Sequence, residues 1–231
     1  MLNALVALTM LSLVFPVACP GQSSAELEAD LLALQNLRAE RPADQAVLLR
    51  LAARYLDLGD QLTEDLKRRE AYEAGAAHAK RALELGEDNA DAHYLYAANL
   101  GSAAQVTGLM AGAARVNEIK RHVRRALELR GRHAPSLHMM GMLLEELPWM
   151  LGGDRKAALN YLEAAVSADS EDLHARLDLA KAYLKRNDRE RAARHLAVVV
   201  ETGLRNPEGR ARRYVDAGRA LLEGLNGRGN R

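Results

Sequence analysis

The chain has 231 residues, enough for one sizeable core or a short array of stacked units. Lys and Arg total 32 against 31 for Asp and Glu, so nothing in the balance points to a polyanionic partner such as a nucleic acid. Aromatic residues make up only 4%, while Ala and Leu dominate, a composition that favours closely packed helices over strands.

In chain order, the first segment stands apart. Leu2 to Val17 is almost wholly apolar and no charged side chain precedes Glu26. The run is shorter than the ~20 residues a membrane-spanning helix needs, so residues 1–24 read as a secretory or lipoprotein-type leader. The only cysteine, Cys19, follows it directly in Phe15-Pro16-Val17-Ala18-Cys19, where a small residue precedes a thiol available for lipidation. The sequence therefore predicts export to a periplasm or cell envelope, with membrane anchoring through Cys19.

Ala25 to Glu40 then reads as an amphipathic helix with Leu27, Leu31, Leu34 and Leu37 in one stripe. From there a pattern recurs four times: a large apolar residue, a small one, and another large one three positions on. The instances are Leu51-Ala52…Tyr55, Tyr96-Ala97…Leu100, Met140-Gly141…Leu144 and Leu179-Ala180…Tyr183. Each precedes a second stripe at spacings of three and four: Gly75/Ala79/Ala82, Ile119/Val123/Ala126, Ala158/Leu162/Ala165 and Ala192/Leu196/Val199. Gly86-Glu87-Asp88-Asn89 and Gly131 to Pro135 combine a helix stop with a helix start, and Ala168-Asp169-Ser170-Glu171 supplies a similar acidic cap. Glu208 to Leu222 forms a last amphipathic helix with Val215, Leu221 and Leu222 inward, and residues 226–231 read as a disordered tail.

From Asp44 to Thr202 this resembles the tetratricopeptide repeat. The resemblance implies an all-α solenoid of about four helix pairs, flanked by capping helices, over residues 25–225. The small residue lets helices A and B of a pair approach, and pairs must stack because none buries its apolar face alone. Relative to the fourth unit, Ala52–Ala82 and Ala97–Ala126 are about ten residues further apart and Gly141–Ala165 about five. Ten residues are about three helical turns, so the first two pairs should be elongated on one edge. Leu62 to Tyr72 is compatible with continued helix, and Gly101 to Ala114 with either a tightly packed helix or a mobile edge.

A narrower resemblance lies in Glu145-Glu146-Leu147-Pro148-Trp149, Gly152-Gly153-Asp154 and the following Ala-x3-Tyr-Leu-x-x-Ala. It is similar to two groups, the T-component of TRAP transporters and the regulator-of-microtubule-dynamics-like proteins. The leader favours the first, which implies a periplasmic, oligomer-forming module that contacts a solute-binding protein or carries an apolar ligand. The repeat register sets Tyr94, Ala98, His138, Met142, Glu145, Leu177 and Lys181 along a binding groove. Trp149 reads equally well as a surface anchor and as an inter-helix plug.

Chemical motifs are sparse. His133 and His138 are five apart, about 140° around a helix, and the chain has neither HExxH nor a second cysteine, so no metal site is expected. Met139-Met140-Gly141-Met142 reads as flexible core filling, and Gly152-Gly153-Asp154 lacks the Lys-Ser/Thr of a phosphate loop. Lys120-Arg121-His122-x-Arg124-Arg125 reads as a solvated face, with docking to an acidic partner as the alternative. The expected role is a binding module without cofactor or catalytic site, the alternative being a structural scaffold of the envelope.

Overall fold

The computed structural model describes residues 24–205 and 209–227, and every regular element among them is helical. The helices are α1 (Ser24–Glu40), α2 (Gln45–Gln61), α3 (Asp65–Leu85), α4 (Ala90–Thr107) and α5 (Leu109–Leu129), then α6 (Ala134–Glu146) and α7 (Arg155–Ala168). Next come α8 (Leu173–Lys185), α9 (Arg189–Arg205) and α10 (Gly209–Gly227), with a 3-10 turn at Trp149–Leu151 between α6 and α7. Helices 2/3, 4/5, 6/7 and 8/9 form the four expected antiparallel pairs.

Local chemistry sets the starts. Asp44, Asn89, Asp154 and Asp172 each accept backbone N–H donors of the following first turn, leaving fewer orphan amides. For α8 the cap is Asp172; Asp169 instead closes a local turn onto the Glu171 amide. Pro135 sits in the first turn of α6, where its missing N–H costs nothing.

The four small positions lie at the pair interfaces. Ala52, Ala97, Gly141 and Ala180 are buried, facing the second stripe of their own or the adjacent helix. A Cβ on Gly141 would stand 2.8 Å from Leu162 Cγ and 3.2 Å from the Ala158 carbonyl, so α6 and α7 approach as closely as glycine permits. In the first two pairs Asn99 adds a polar tie. Its fully buried Nδ2 donates to the carbonyls of Ala52 (3.1 Å) and Leu95 (2.9 Å), in the space Gly75 leaves open.

Elongation takes the predicted form. Helices α2 to α5 run 17 to 21 residues, against 13 and 14 for α6 and α7. Residues 62–64 form a short break rather than helix, so α3 starts at Asp65. The 101–114 stretch is helix on both sides of Gly108, whose φ of 117° turns the chain between α4 and α5. The five extra residues of the third unit lengthen neither helix and become the 3-10 turn.

The ends are covered as the stripes predicted. Leu27, Leu31 and Leu34 of α1 pack on Val47 and Leu51, with Leu37 partly buried beside them. On α10, Val215 is buried, and Tyr214, Leu221 and Leu222 close over Leu177, Ala180, Leu196 and Val199. Because α10 continues to Gly227, residues 226 and 227 are helical and not tail, and Ser24, assigned to the leader, begins α1; Cys19, the rest of the leader, the rest of the tail and Glu208 lie outside the described residues.

Curvature follows from which helices meet. Each A helix touches the next, α2 to α4, α4 to α6 and α6 to α8, and α8 touches α10. Among the described residues the backbones of successive B helices α3, α5, α7 and α9 stay apart, and α7 reaches α9 through the Glu163–Arg191 pair at 4.0 Å. A helices therefore lie on the inner side and B helices are splayed on the outer side.

Candidate functional site

The direct A-to-A contacts correct the predicted groove. Tyr94, Ala98 and Leu177 are buried in the core, Met142 nearly so, and His138 and Glu145 are sealed between helices; only Lys181 reaches solvent. The side chains that register set along a groove are covered by neighbouring helices. Tyr94, for example, meets the His133 ring edge-on at 5.6 Å across the α4–α6 boundary. The inner side carries polar seams instead of an open apolar trough.

Two seams are well defined. Between α4 and α6, His133 Nε2 donates to Asp91 at 3.0 Å, and Arg130 forms a second pair with the same carboxylate. The His133 hydrogen bond and Arg130 hold Asp91 down at about 2. Between α6 and α8, Glu145 receives both guanidinium nitrogens of Arg186 (2.6 and 3.2 Å), while Lys185 binds Glu146 at 2.6 Å. These bonds fix the register of the third pair on the fourth.

Deeper in the same seam, Asp178 gathers three partners. His138 Nε2 and His174 Nε2 both stand 3.1 Å from its Oδ2, and Lys181 Nζ is 2.9 Å from Oδ1. Burial alone would raise this carboxyl, but the two imidazoles and the ammonium reverse that and hold it below the usual carboxylate range. Burial lowers His174 to about 4 against the pull of Asp178. Tyr214 stacks on the outer face of His174 at 5.3 Å.

A different surface is formed on the outer side, at the edge with the inserted residues. Helix α6 ends at extended Leu147 followed by Pro148. The chain then makes the 3-10 turn, closed by Gly152 at φ 78°. A Cβ on Gly153 would fall 1.8 Å from the Leu147 carbonyl oxygen, so only glycine lets the chain double back to Asp154. The turn projects its side chains outward: Trp149 is 83% exposed, Met150 71% and Leu151 44%.

Helix α5 is the floor beneath it. Ala113, Val116, Asn117, Lys120 and Arg124 line a cavity of about 380 Å³ with Met150, Leu151 and Gly152. Lys120 Nζ donates to the carbonyls of Gly152 (2.8 Å) and Leu151 (3.3 Å), pinning the turn to α5. Its burial, and then Arg124, push the ammonium below its ordinary value. Ion pairs on α5 belong to Arg115 and Arg125; among the described residues no carboxylate pairs with Lys120, Arg121 or Arg124. Met110, a turn before Ala113 on the same face, is 82% exposed. Trp149 thus points outward and does not plug the inter-helix edge, and Lys120 and Arg124 of the basic run line the cavity beside its turn.

Fold and stripes define a tetratricopeptide-type helical array. A tetratricopeptide repeat profile matches residues 150–212, and a thermophilic TPR protein of Thermus thermophilus has the same fold, with TM-score 0.65 and 19% identity over 84% of this chain and 91% of that one. The chain belongs to the family described as regulator of microtubule dynamics protein 1-3, whose profile matches residues 21–147, more than half its length. It is 33% identical over 171 residues to regulator of microtubule dynamics protein 1 of Bos taurus, covering 65% of this chain and 53% of the relative. Against regulator of microtubule dynamics protein 3 of Bos taurus it is 27% identical over 153 residues, covering 66% and 32%. The chain therefore spans about half, or less, of the length of these relatives.

Two expectations change with that assignment. Of the two groups the Leu-Pro-Trp and Gly-Gly-Asp segments resembled, the regulator group is the one matched. The predicted export to a periplasm or envelope is overturned, because the relatives are mammalian proteins named for microtubule dynamics and not transport components of a bacterial envelope. Sequence reasoning also missed the His138–His174–Asp178 convergence. Its one readable signal was the i, i+4 spacing of His174 and Asp178, which shares a helix face; His138 joins only through repeat stacking.

Proposed function

We propose that this chain is a non-catalytic docking module that binds a protein segment bearing both acidic and large apolar side chains. The segment lies on the edge made by α5 and the Trp149 turn. The observation that carries this reading is the exposure of Trp149, Met150 and Met110 on the edge where Arg121 and Arg124 have, among the described residues, no carboxylate partner. Large apolar groups contiguous at a surface are uncommon without a partner. Tryptophan and arginine are the residues that most often dominate binding energy, and the exposed Arg121 and Arg124 would select acidic partners and speed their encounter. The relatives' name brings microtubule-associated proteins, or the microtubule itself, forward as the source of that segment.

Trp149 is the only tryptophan, so its emission reports directly on the patch. Titration with a Glu-rich peptide containing Phe and Leu should shift that emission to the blue and saturate, whereas a Lys-rich counterpart should not. Arg124→Glu should weaken binding at least about tenfold. Wild-type and Trp149→Ala proteins are then compared by co-sedimentation with polymerised tubulin; loss in the variant places the partner there. Unchanged emission with every acidic peptide, or equal affinity in Arg124→Glu, rejects the patch.

A further inference from the structure

We propose that His138, His174 and Asp178 form a binding site for a divalent transition-metal ion of the zinc, cobalt or nickel class, tying the third helix pair to the fourth. The site is independent of the docking surface on α5. His174 and Asp178 project from one face of α8, and His138 comes from α6 across the inter-pair boundary. One ligand atom from each residue lies within 4.8 Å of the other two, with both Nε2 atoms 3.1 Å from Asp178 Oδ2.

That arrangement suits a metal in three respects. Tetrahedral ligands about 2.0–2.1 Å from zinc are roughly 3.4 Å apart, close to the two 3.1 Å nitrogen–oxygen separations, so an ion needs only modest side-chain shifts. Two imidazoles and a carboxylate are a donor set for borderline ions and not for calcium or magnesium, which take all-oxygen sites. Lys181 engages only Oδ1, at 2.9 Å, which leaves Oδ2 facing the imidazoles but sets a like charge beside the ion. Tyr214 stacked on His174 restricts the ring from the other side. Water supplies the remaining coordination position, reached where Lys181 opens to solvent.

A buried hydrogen-bonded network without metal would use the same residues, and the Lys181 ammonium separates the two readings. It shares one carboxylate with the ion, so Lys181→Met should tighten metal binding, by about tenfold, through loss of like-charge repulsion. A purely structural network gains nothing from that change. The experiment dialyses the 231-residue chain against Zn²⁺ or Co²⁺ and measures bound metal by elemental analysis and the visible absorption of cobalt.

Near-stoichiometric metal, a cobalt spectrum of mixed nitrogen and oxygen ligation, and loss of both in His138→Gln and Asp178→Asn are expected. Circular dichroism identifies variants that remain folded, and the wild-type cobalt spectrum and the Lys181→Met comparison stand even if the ligand variants unfold. Wild-type protein that takes up no metal overturns the proposal, as does His138→Gln that binds as wild type or Lys181→Met that binds more weakly.

Discussion

At the scale of single residues, the inner face is held by charges shielded from water. Glu145 has 2% of its side chain exposed and grips Arg186 through two nitrogens, while Arg186 also donates to the Ala182 carbonyl. Removing one partner of a buried pair leaves the other poorly compensated. Because Arg186 retains some contact with water, Glu145→Ala should cost about 3 kcal/mol of unfolding free energy, near the low end for such losses. Glu145→Gln, which keeps an acceptor, should cost about half that; chemical denaturation of the two variants checks the order. Glu145 was identifiable from repeat register as an inner-face residue. Its burial was not, because register gives direction from one helix axis and says nothing about how close the next A helix stands. The same gap hid the enclosure of Tyr94, Ala98 and Leu177.

Among elements, the sequence was most informative where a pattern ran for several turns. The small residues at 52, 97, 141 and 180 and the stripes opposite them located every pair, since each must bury one continuous face. Surplus length in the first two units became helix because Asp65 to Leu85 and Ala90 to Thr107 contain no proline. In the third unit Pro148 stopped α6, and the surplus became the Trp149 turn. Asp154 ends that turn by capping α7 through the Lys156 and Ala157 amides at 2.9 and 3.0 Å. Asp154→Ala should lower stability by about 1 kcal/mol, the ordinary loss for an N-cap. Its effect should stay local, with faster amide exchange in the first turn of α7 and unchanged exchange in α2. Equal loosening of α2 would mean that the pairs do not behave as separable units.

Over the whole molecule, stability comes from the chain of nearest-neighbour contacts and is sensitive to acid through buried histidines. Burial lowers His78, stacked on Tyr55 at 5.4 Å with Arg38 nearby, to about 4. Burial, then His93 and Arg121, bring His122 to about 4 as well, with Glu118 pulling the other way. The unfolded chain takes up these protons near the ordinary value of about 6.5, and the native chain only near 4. Their contribution is complete above about pH 6.5 and is lost as the pH falls toward 4. Asp91 stays ionised through that window. Denaturation midpoints should therefore decline between about pH 6.5 and 4, and less steeply in His78→Phe, which keeps the stack and cannot protonate. A flat profile would contradict the assignment.

The central claim is that partners dock on the outer edge of α5 and the Trp149 turn, not on the inner face of the A helices. Hydrogen–deuterium exchange with and without a saturating acidic, aromatic-bearing peptide tests this most directly. Protection confined to residues 113–124 and 148–153 is the predicted result. Protection confined to α2, α4, α6 and α8, with that edge exchanging as in the free protein, would contradict it.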